Sequence, residues 1–172
     1  MKKILISTLV SVACFADLTN ITTMEADFTQ QIVDDNNKTV LYKGHLFASK
    51  PQYALWQYTQ PVQKNIYLYN DRVTIVEPDL EQVIIKHIQS HLNFFTLLQN
   101  AQKIDNTHYV TFFEEKKIFI VTDTQNTIHS LSYKDEFEND VTITFKDAKI
   151  NLPIDKTIFQ AKIPVDFDVI TE

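Results

Sequence analysis

Tyr42 to Pro61 reads YKGHLFASKPQYALWQYTQP, two strand-like runs that meet at Lys50-Pro51 and hold no recognisable catalytic or metal-ligating group. A strand covered on one face alternates apolar with polar residues. Around this joint Leu41, Phe47, Tyr53, Leu55, Trp56 and Tyr58 supply more large apolar surface than one buried face needs. A hairpin apolar on both sides points to a ligand or a lid resting on the sheet.

Outward from the hairpin, short runs of period two dominate, and Asn and Asp punctuate them because Gly44 is the single glycine. The pattern predicts a short helix at Leu18 to Thr23, then strands at Glu25 to Val33 and Thr39 to Ser49 around the polar turn Asp34-Asp35-Asn36-Asn37-Lys38. Strands at Tyr53 to Gln60, Asn65 to Tyr69, Val73 to Val76 and Gln82 to Ile88 continue as a meander. Ser90 to Asn100 breaks the period: Leu92, Phe95 and Leu98, with Phe94 and Leu97 beside them, recur at helical spacing behind Ser90 as N-cap. Strands return at Tyr109 to Phe113, Ile118 to Thr122, Ile128 to Tyr133 and Val141 to Ile150, and Pro153-Ile154-Asp155 opens a helical turn running to Phe159. The class is mainly β, one antiparallel sheet with two or three short helices.

That imbalance carries the argument about function. A ten-residue helix is about 15 Å long and strands lie about 4.8 Å apart, so it shields only a few of them. Concave apolar surface is left over, which is the mark of a binding cavity; a closed barrel filled by its own side chains gives the same pattern, and periodicity alone leaves both open.

Lys2 and Lys3 precede an uncharged run from Ile4 to Val12, and Ala13-Cys14-Phe15-Ala16 offers small residues before Asp17. This is the layout of a secretory signal peptide, residues 1–16, followed by one domain, residues 17–172. The run is shorter than the roughly 20 residues of a transmembrane helix. Cleavage after Ala16 leaves no cysteine, hence no disulfide. Lipidation at Cys14 is the rival reading, although Ser11 stands where that signal favours Leu. Removing residues 1–16 takes away two lysines and no acid, so the formal charge falls from −6 to −8. An acidic chain argues against nucleic-acid binding and against adhesion to anionic membranes.

Several segments in this order resemble the periplasmic outer-membrane lipoprotein carrier family, LolA. Phe28-Thr29-Gln30 is similar to its F-x-Q, Tyr42 to Leu46 to its G-x-L, and Lys50-Pro51-Gln52-Tyr53-Ala54-Leu55-Trp56 to its R-P-x-x-x-x-W, with the T-Q-P of Thr59-Gln60-Pro61 behind it. Glu77 to Val83 resembles the segment before the family's central helix, here Ser90 to Asn100. The sequence departs from the pattern at Lys50, where the family has arginine, in the missing glycine near Asp71-Arg72, and between Phe159 and Val169, where only Pro164 is retained.

The resemblance implies an unclosed antiparallel barrel under a helical lid, and a periplasmic chaperone that takes lipoprotein acyl chains into a hydrophobic cavity and carries them from inner to outer membrane. It implies no enzyme activity and no cofactor. Implied partners are lipoproteins, an inner-membrane lipoprotein-releasing ABC transporter and an outer-membrane acceptor, with the carrier a monomer. Phe47, Leu55, Trp56, Phe94, Phe95 and Leu98 are the candidate lipid-binding residues, each weighed against an ordinary core role. Lys50 is the candidate lid latch, since the family's arginine bonds lid carbonyls; a solvated lysine beside Pro51 is the alternative. The other functional readings are a membrane-anchored receptor of the same fold, LolB-like and lipidated at Cys14, and an exported β-protein with a filled core.

The remaining motifs are weaker. His45, His87, His91, His108 and His129 include no pair at zinc spacing across a single element, so no metal site is expected. Glu114-Glu115-Lys116-Lys117 reads as a charged hairpin turn, and Asp135, Glu136 and Glu138 as a polar loop. Asp35-Asn36-Asn37-Lys38-Thr39 fits a D-x-N-x-T glycosylation signal at Asn37, set against a turn merely rich in Asp and Asn.

Overall fold

The computed structural model describes residues 18–87 and 94–172. Residues 1–16, expected to be a signal peptide and including Cys14, lie outside them, as do Ser90 and His91. The described chain forms β1 (Thr23–Val33), β2 (Thr39–Ser49), β3 (Tyr53–Gln60), β4 (Lys64–Tyr69), β5 (Arg72–Glu77), β6 (Gln82–His87), helix α1 (Phe94–Gln99), β7 (Gln102–Lys103), β8 (His108–Phe113), β9 (Lys116–Thr122), β10 (Ile128–Lys134), β11 (Asp140–Ile150) and β12 (Asp168–Thr171). Single 3₁₀ turns lie at Leu18–Asn20, Pro78–Leu80 and Lys156–Phe159.

All twelve strands belong to one sheet, in the order β12-β6-β5-β4-β3-β2-β1-β11-β10-β9-β8-β7. Two meanders, β1 to β6 and β7 to β11, join where β11 returns to pair with β1 from Met24↔Ile150 to Val33↔Asp140. Neighbours are antiparallel except β12, which runs parallel to β6. The edges β7 and β12 do not meet, so the curled sheet stays open, as the fold class expected. Three local expectations change. The predicted helix at Leu18 to Thr23 shrinks to a 3₁₀ turn because Thr23 already pairs with Ser49. Strands β7 and β12, of two and four residues, carry too little pattern to be read from sequence. The described part of the central helix spans Phe94–Gln99.

A chain with one glycine must turn by other means. The loops at residues 34–38, 123–127 and 135–139 share one device: the first Asp accepts the amide N–H of the third and fifth residues through Oδ1, at 2.8–3.0 Å. The fourth residue, Asn37, Asn126 or Glu138, takes a left-handed φ of 59°, 60° or 63°. Asn accepts that region more readily than most residues because its short polar side chain bonds locally. At the β4–β5 turn Asn70, φ 56°, stands where a glycine was expected.

Gly44 itself lies in β2. A Cβ there would meet the Gln57 carbonyl oxygen at 2.1 Å and the Phe28 ring at 2.6 Å. Freed of that atom, Phe28 lies across the glycine and meets Trp56 and Tyr58 edge to face, with ring centroids 5.1 and 5.0 Å away. Such aromatic pairs are favourable beyond their buried area. Phe28, Leu46, Ile120, Leu131, Ile143 and Phe145 form the centre of a core on the concave face, and Phe95 and Leu98 of α1 close it from above.

The sheet is also covered from behind. After β11 the chain crosses the outer face of β3 and β4, where Phe159 is 0 % exposed and stacks on Tyr53 at 5.7 Å. Asp155 caps the 3₁₀ turn by accepting the Thr157 amide at 2.9 Å.

Candidate functional site

Cross-strand pairing places Ala26, Leu46, Trp56, Ile66, Ile75 and Ile84 in one row across β1 to β6, on the concave face. Ala26 and Leu46 are buried, while the four from Trp56 onward are only half-buried. Beside that row opens a cavity of about 460 Å³, within the roughly 300–1,000 Å³ usual for ligand sites. Ala54, Trp56 and Leu68 line one wall, Ile118, Leu131 and Ile143 the other, and α1 contributes Phe94 and Leu97. The mouth is different in character. Phe113, Glu114 and Lys116 from the β8–β9 turn and Asp135 and Glu136 from the β10–β11 loop surround it. Apolar walls with charged side chains from the β8–β9 and β10–β11 loops suit a ligand with a long apolar part and a polar end that stays in water.

Tyr133 stands between interior and rim. Burial, then the nearby Asp135 charge, raise its hydroxyl pKa. Deeper in the barrel Tyr58 donates to Gln30 Oε1 at 2.8 Å, and its own pKa is raised chiefly by burial. Both phenols are therefore neutral at physiological pH and fit an uncharged lining. Desolvation pulls the Asp135 carboxyl upward, but hydrogen bonds from Asn139 and Phe137, with the Lys116 charge, hold it below the usual carboxylate range. The rim stays charged.

The candidate lipid-binding residues divide. Trp56 and Phe94 line the cavity. Phe95 and Leu98, each 2 % exposed, are packed into the adjoining core. Phe47 and Leu55 face one another across β2 and β3 on the outer face, with Leu55 4 % exposed beside the 3₁₀ turn at Lys156–Phe159. Because side chains alternate along a strand, Leu55 and Trp56 cannot both reach one cavity. Leu55 instead anchors the C-terminal strap. Reasoning from the Tyr42 to Pro61 hairpin missed the opposite wall, although the alternation of Leu131 with Tyr133, and of Val141, Ile143 and Phe145, carried that signal.

Lys50 is not a freely solvated residue. Its ammonium donates to the Thr19 carbonyl at 2.7 Å and lies 5.8 Å from the centre of the Phe95 ring. One cation thus joins the β2–β3 turn to the N-terminal 3₁₀ turn and to α1, which pack on each other. Asn37 is exposed at the tip of the β1–β2 loop. Among the described residues no three His, Cys, Asp or Glu side chains are grouped as metal ligands would be, and no helix is long and apolar enough to cross a membrane.

The model of the family described as outer membrane lipoprotein carrier protein LolA matches residues 19–122. An outer-membrane lipoprotein carrier protein of Campylobacter jejuni subsp. jejuni is 41 % identical over 151 residues, 88 % of either chain. One from Wolinella succinogenes is 30 % identical over 153 residues, 89 % of either chain. Among solved structures, an uncharacterized conserved protein from Thermus thermophilus superposes over 90 % of this chain and 93 % of its own, with a TM-score of 0.53 at 11 % identity. That likeness concerns the fold alone.

Proposed function

The chain belongs to the outer membrane lipoprotein carrier family, LolA, and we infer from that membership and from its cavity that it carries lipoproteins bound for the outer membrane by sheltering their acyl chains. The observation that carries the reading is the apolar-walled cavity with charged side chains at its mouth, beneath α1. Burial of acyl surface is worth about 0.8 kcal/mol per CH₂, so a free lipoprotein does not cross water at a useful rate. A carrier must shelter the chains and still release them. A cavity walled by Trp56, Leu68, Leu131 and Ile143, partly open, gives affinity below that of a membrane, and the polypeptide part of the cargo stays outside the charged mouth.

The finer assignments extend the same reading. Residues 1–16 direct export and are removed, and the mature chain works as a monomer in the periplasm. An inner-membrane ABC transporter loads it and an outer-membrane acceptor unloads it. Nothing in this cycle requires covalent chemistry or a cofactor. Trp56 and Phe94 are the acyl-contacting pair, and Lys50 holds the lid: opening α1 away from the sheet requires breaking or carrying along the bond to Thr19.

The test is to isolate the protein from periplasm and determine by mass spectrometry what travels with it. Triacylated or diacylated lipoproteins at one per carrier are expected from the unsubstituted chain and lost with Trp56→Ala. Recovery of a bare chain under conditions that preserve lipoprotein complexes would refute the assignment.

A further inference from the structure

An acyl chain is apolar along its length and ends in a carbonyl. Taken out of water, that oxygen needs a hydrogen-bond donor, because a buried polar atom left unpaired costs more than an average bond returns. Apart from the charged side chains of the mouth, two residues lining the cavity carry a donor, Trp56 and Tyr133. Trp56 is held by its ring, edge to face with Phe28 and 6.3 Å from the Phe145 ring. Tyr133 is placed differently. It stands where the apolar wall meets the rim, and among the described residues its hydroxyl has no hydrogen-bond partner, whereas Tyr58, deeper in the barrel, donates to Gln30.

A second hydroxyl lies in the same cross-strand row. Tyr133 pairs with Ile118, which lines the cavity, and Ile118 pairs with Thr111. Paired residues share a face, so both hydroxyls rise from the concave side on strands about 10 Å apart. Phe113, two residues beyond Thr111 on that face, also lines the cavity. Thr111 is 1 % exposed, and its Oγ1 is the one buried side-chain oxygen or nitrogen without a hydrogen-bond partner among the described residues. Buried polar atoms are nearly always paired. Valine has the shape of threonine without the orphaned atom, so the hydroxyl is not there for the fold. The empty protein keeps a donor in reserve beside its own cavity.

We propose that the Tyr133 and Thr111 hydroxyls form a polar subsite of the cavity and donate to the carbonyl oxygens of bound acyl esters. The subsite deepens the carrier reading and rests on it: the carbonyl fixes how far the chains enter, and plain hydrocarbon of the same length binds less well. The test titrates the purified full chain, Tyr133→Phe and Thr111→Val with two fluorescent lipopeptides. One is a cysteine peptide bearing a dipalmitoylglyceryl group, the other its dihexadecyl ether, which keeps the chains and lacks the carbonyls. The unsubstituted chain should bind the diester about tenfold more tightly than the diether, and each variant should cut that preference about threefold. Thr111→Val should melt at or above the temperature of the unsubstituted chain, because its hydroxyl bonds nothing in the empty protein. Equal binding of the two lipopeptides by the unsubstituted chain would overturn the proposal. So would a full ester preference kept by either variant, including one that weakens both lipopeptides alike, or a marked fall in the melting temperature of Thr111→Val. Failure of the unsubstituted chain to bind either lipopeptide would overturn the carrier reading instead.

Discussion

The two wings of the sheet bury themselves on opposite faces. In β1, β2 and β8 to β11 the concave side holds Phe28, Leu46, Ile120, Ile143 and Phe145 in a packed core, while the outer side shows Thr29, Lys43, Ser132 and Thr142 to solvent or half-buries them. In β3 to β6 the outer side is the buried one: Leu55, Val76, Val83 and Thr74 are each at most 5 % exposed, and Phe159 is sealed against Tyr53. Its concave side, from Trp56 to Ile84, is left half-buried. A wing anchored from behind does not need its front face filled to be stable. That is the physical condition for an apolar surface that stays available to a ligand.

The sharpest way to break the comparison is at the strap. Phe159→Ala removes a fully buried ring from the outer face, and deletions of that kind cost about 3–5 kcal/mol. Urea melts should show that loss, while the surviving folded fraction still takes up acyl peptide, because the ring lies on the far side of the sheet from the cavity. A loss under about 1 kcal/mol would mean the strap is not what supports the β3 to β6 wing.

Phe94→Ala is the converse. Its side chain is buried but borders the cavity on one side, so it forfeits fewer packing contacts than a fully enclosed ring, and the substitution should lower unfolding free energy by less than about 2 kcal/mol while sharply weakening acyl binding. Phe95→Ala, from the next position of the same helix, should show the reverse balance, since that ring is 2 % exposed and does not line the cavity. Equal effects of the two on stability would erase the distinction between wall and core.

How far these assignments could be read from sequence varies by element. The bounds of β2 and β3 are those expected, because hairpin length, Lys50-Pro51 and the flanking turns define them locally. The face of Leu55 against that of Trp56 was not legible. Tyr53-Ala54-Leu55-Trp56 is apolar without alternation, and the choice is made by a strap arriving from about a hundred residues later. Strand β12 was invisible for a related reason: all four residues are exposed, and the strand exists only through backbone pairing with β6. The partner of Lys50 was half legible. A backbone carbonyl was expected from the resemblance, and the one engaged belongs to the N-terminal 3₁₀ turn, with α1 met through the Phe95 ring.

Lys50 sits at the β2–β3 turn, where the two wings meet, and bonds there to the Thr19 carbonyl beside α1. A charged hydrogen bond contributes about 1.5–3 kcal/mol when well buried, and the half-buried setting here brings Lys50→Leu nearer 1 kcal/mol. Loading should survive and delivery to an acceptor membrane should change, read as the rate of lipoprotein transfer from purified complex. Lys50→Arg should restore the bond, since a guanidinium also reaches a carbonyl. Unchanged transfer with Lys50→Leu would leave the lysine a structural tie only.

The smallest effect lies at the rim of the packed wing, where stability is local. Asp105, exposed, accepts the amides of Thr107 and His108 and the His108 ring at 2.8–2.9 Å. The Thr107 amide, then the His108 side chain, bring its pKa from 3.8 down to about 2. The folded value is the depressed one, so the stabilisation is present above the unfolded value near 3.8 and disappears as pH falls through about 2. A carboxyl titration by NMR should place the midpoint near 2, and His108→Ala should move it upward without restoring the ordinary value, because the backbone donors remain. Global unfolding should hardly respond. Phe159 and Asp105 are thus opposite tests of one arrangement: long-range burial secures the wing that leaves its front open, while the packed wing is finished at its edge by a cap whose loss stays where it occurs. A midpoint at or above 3.8 would show that the loop does not hold this bonded form in solution.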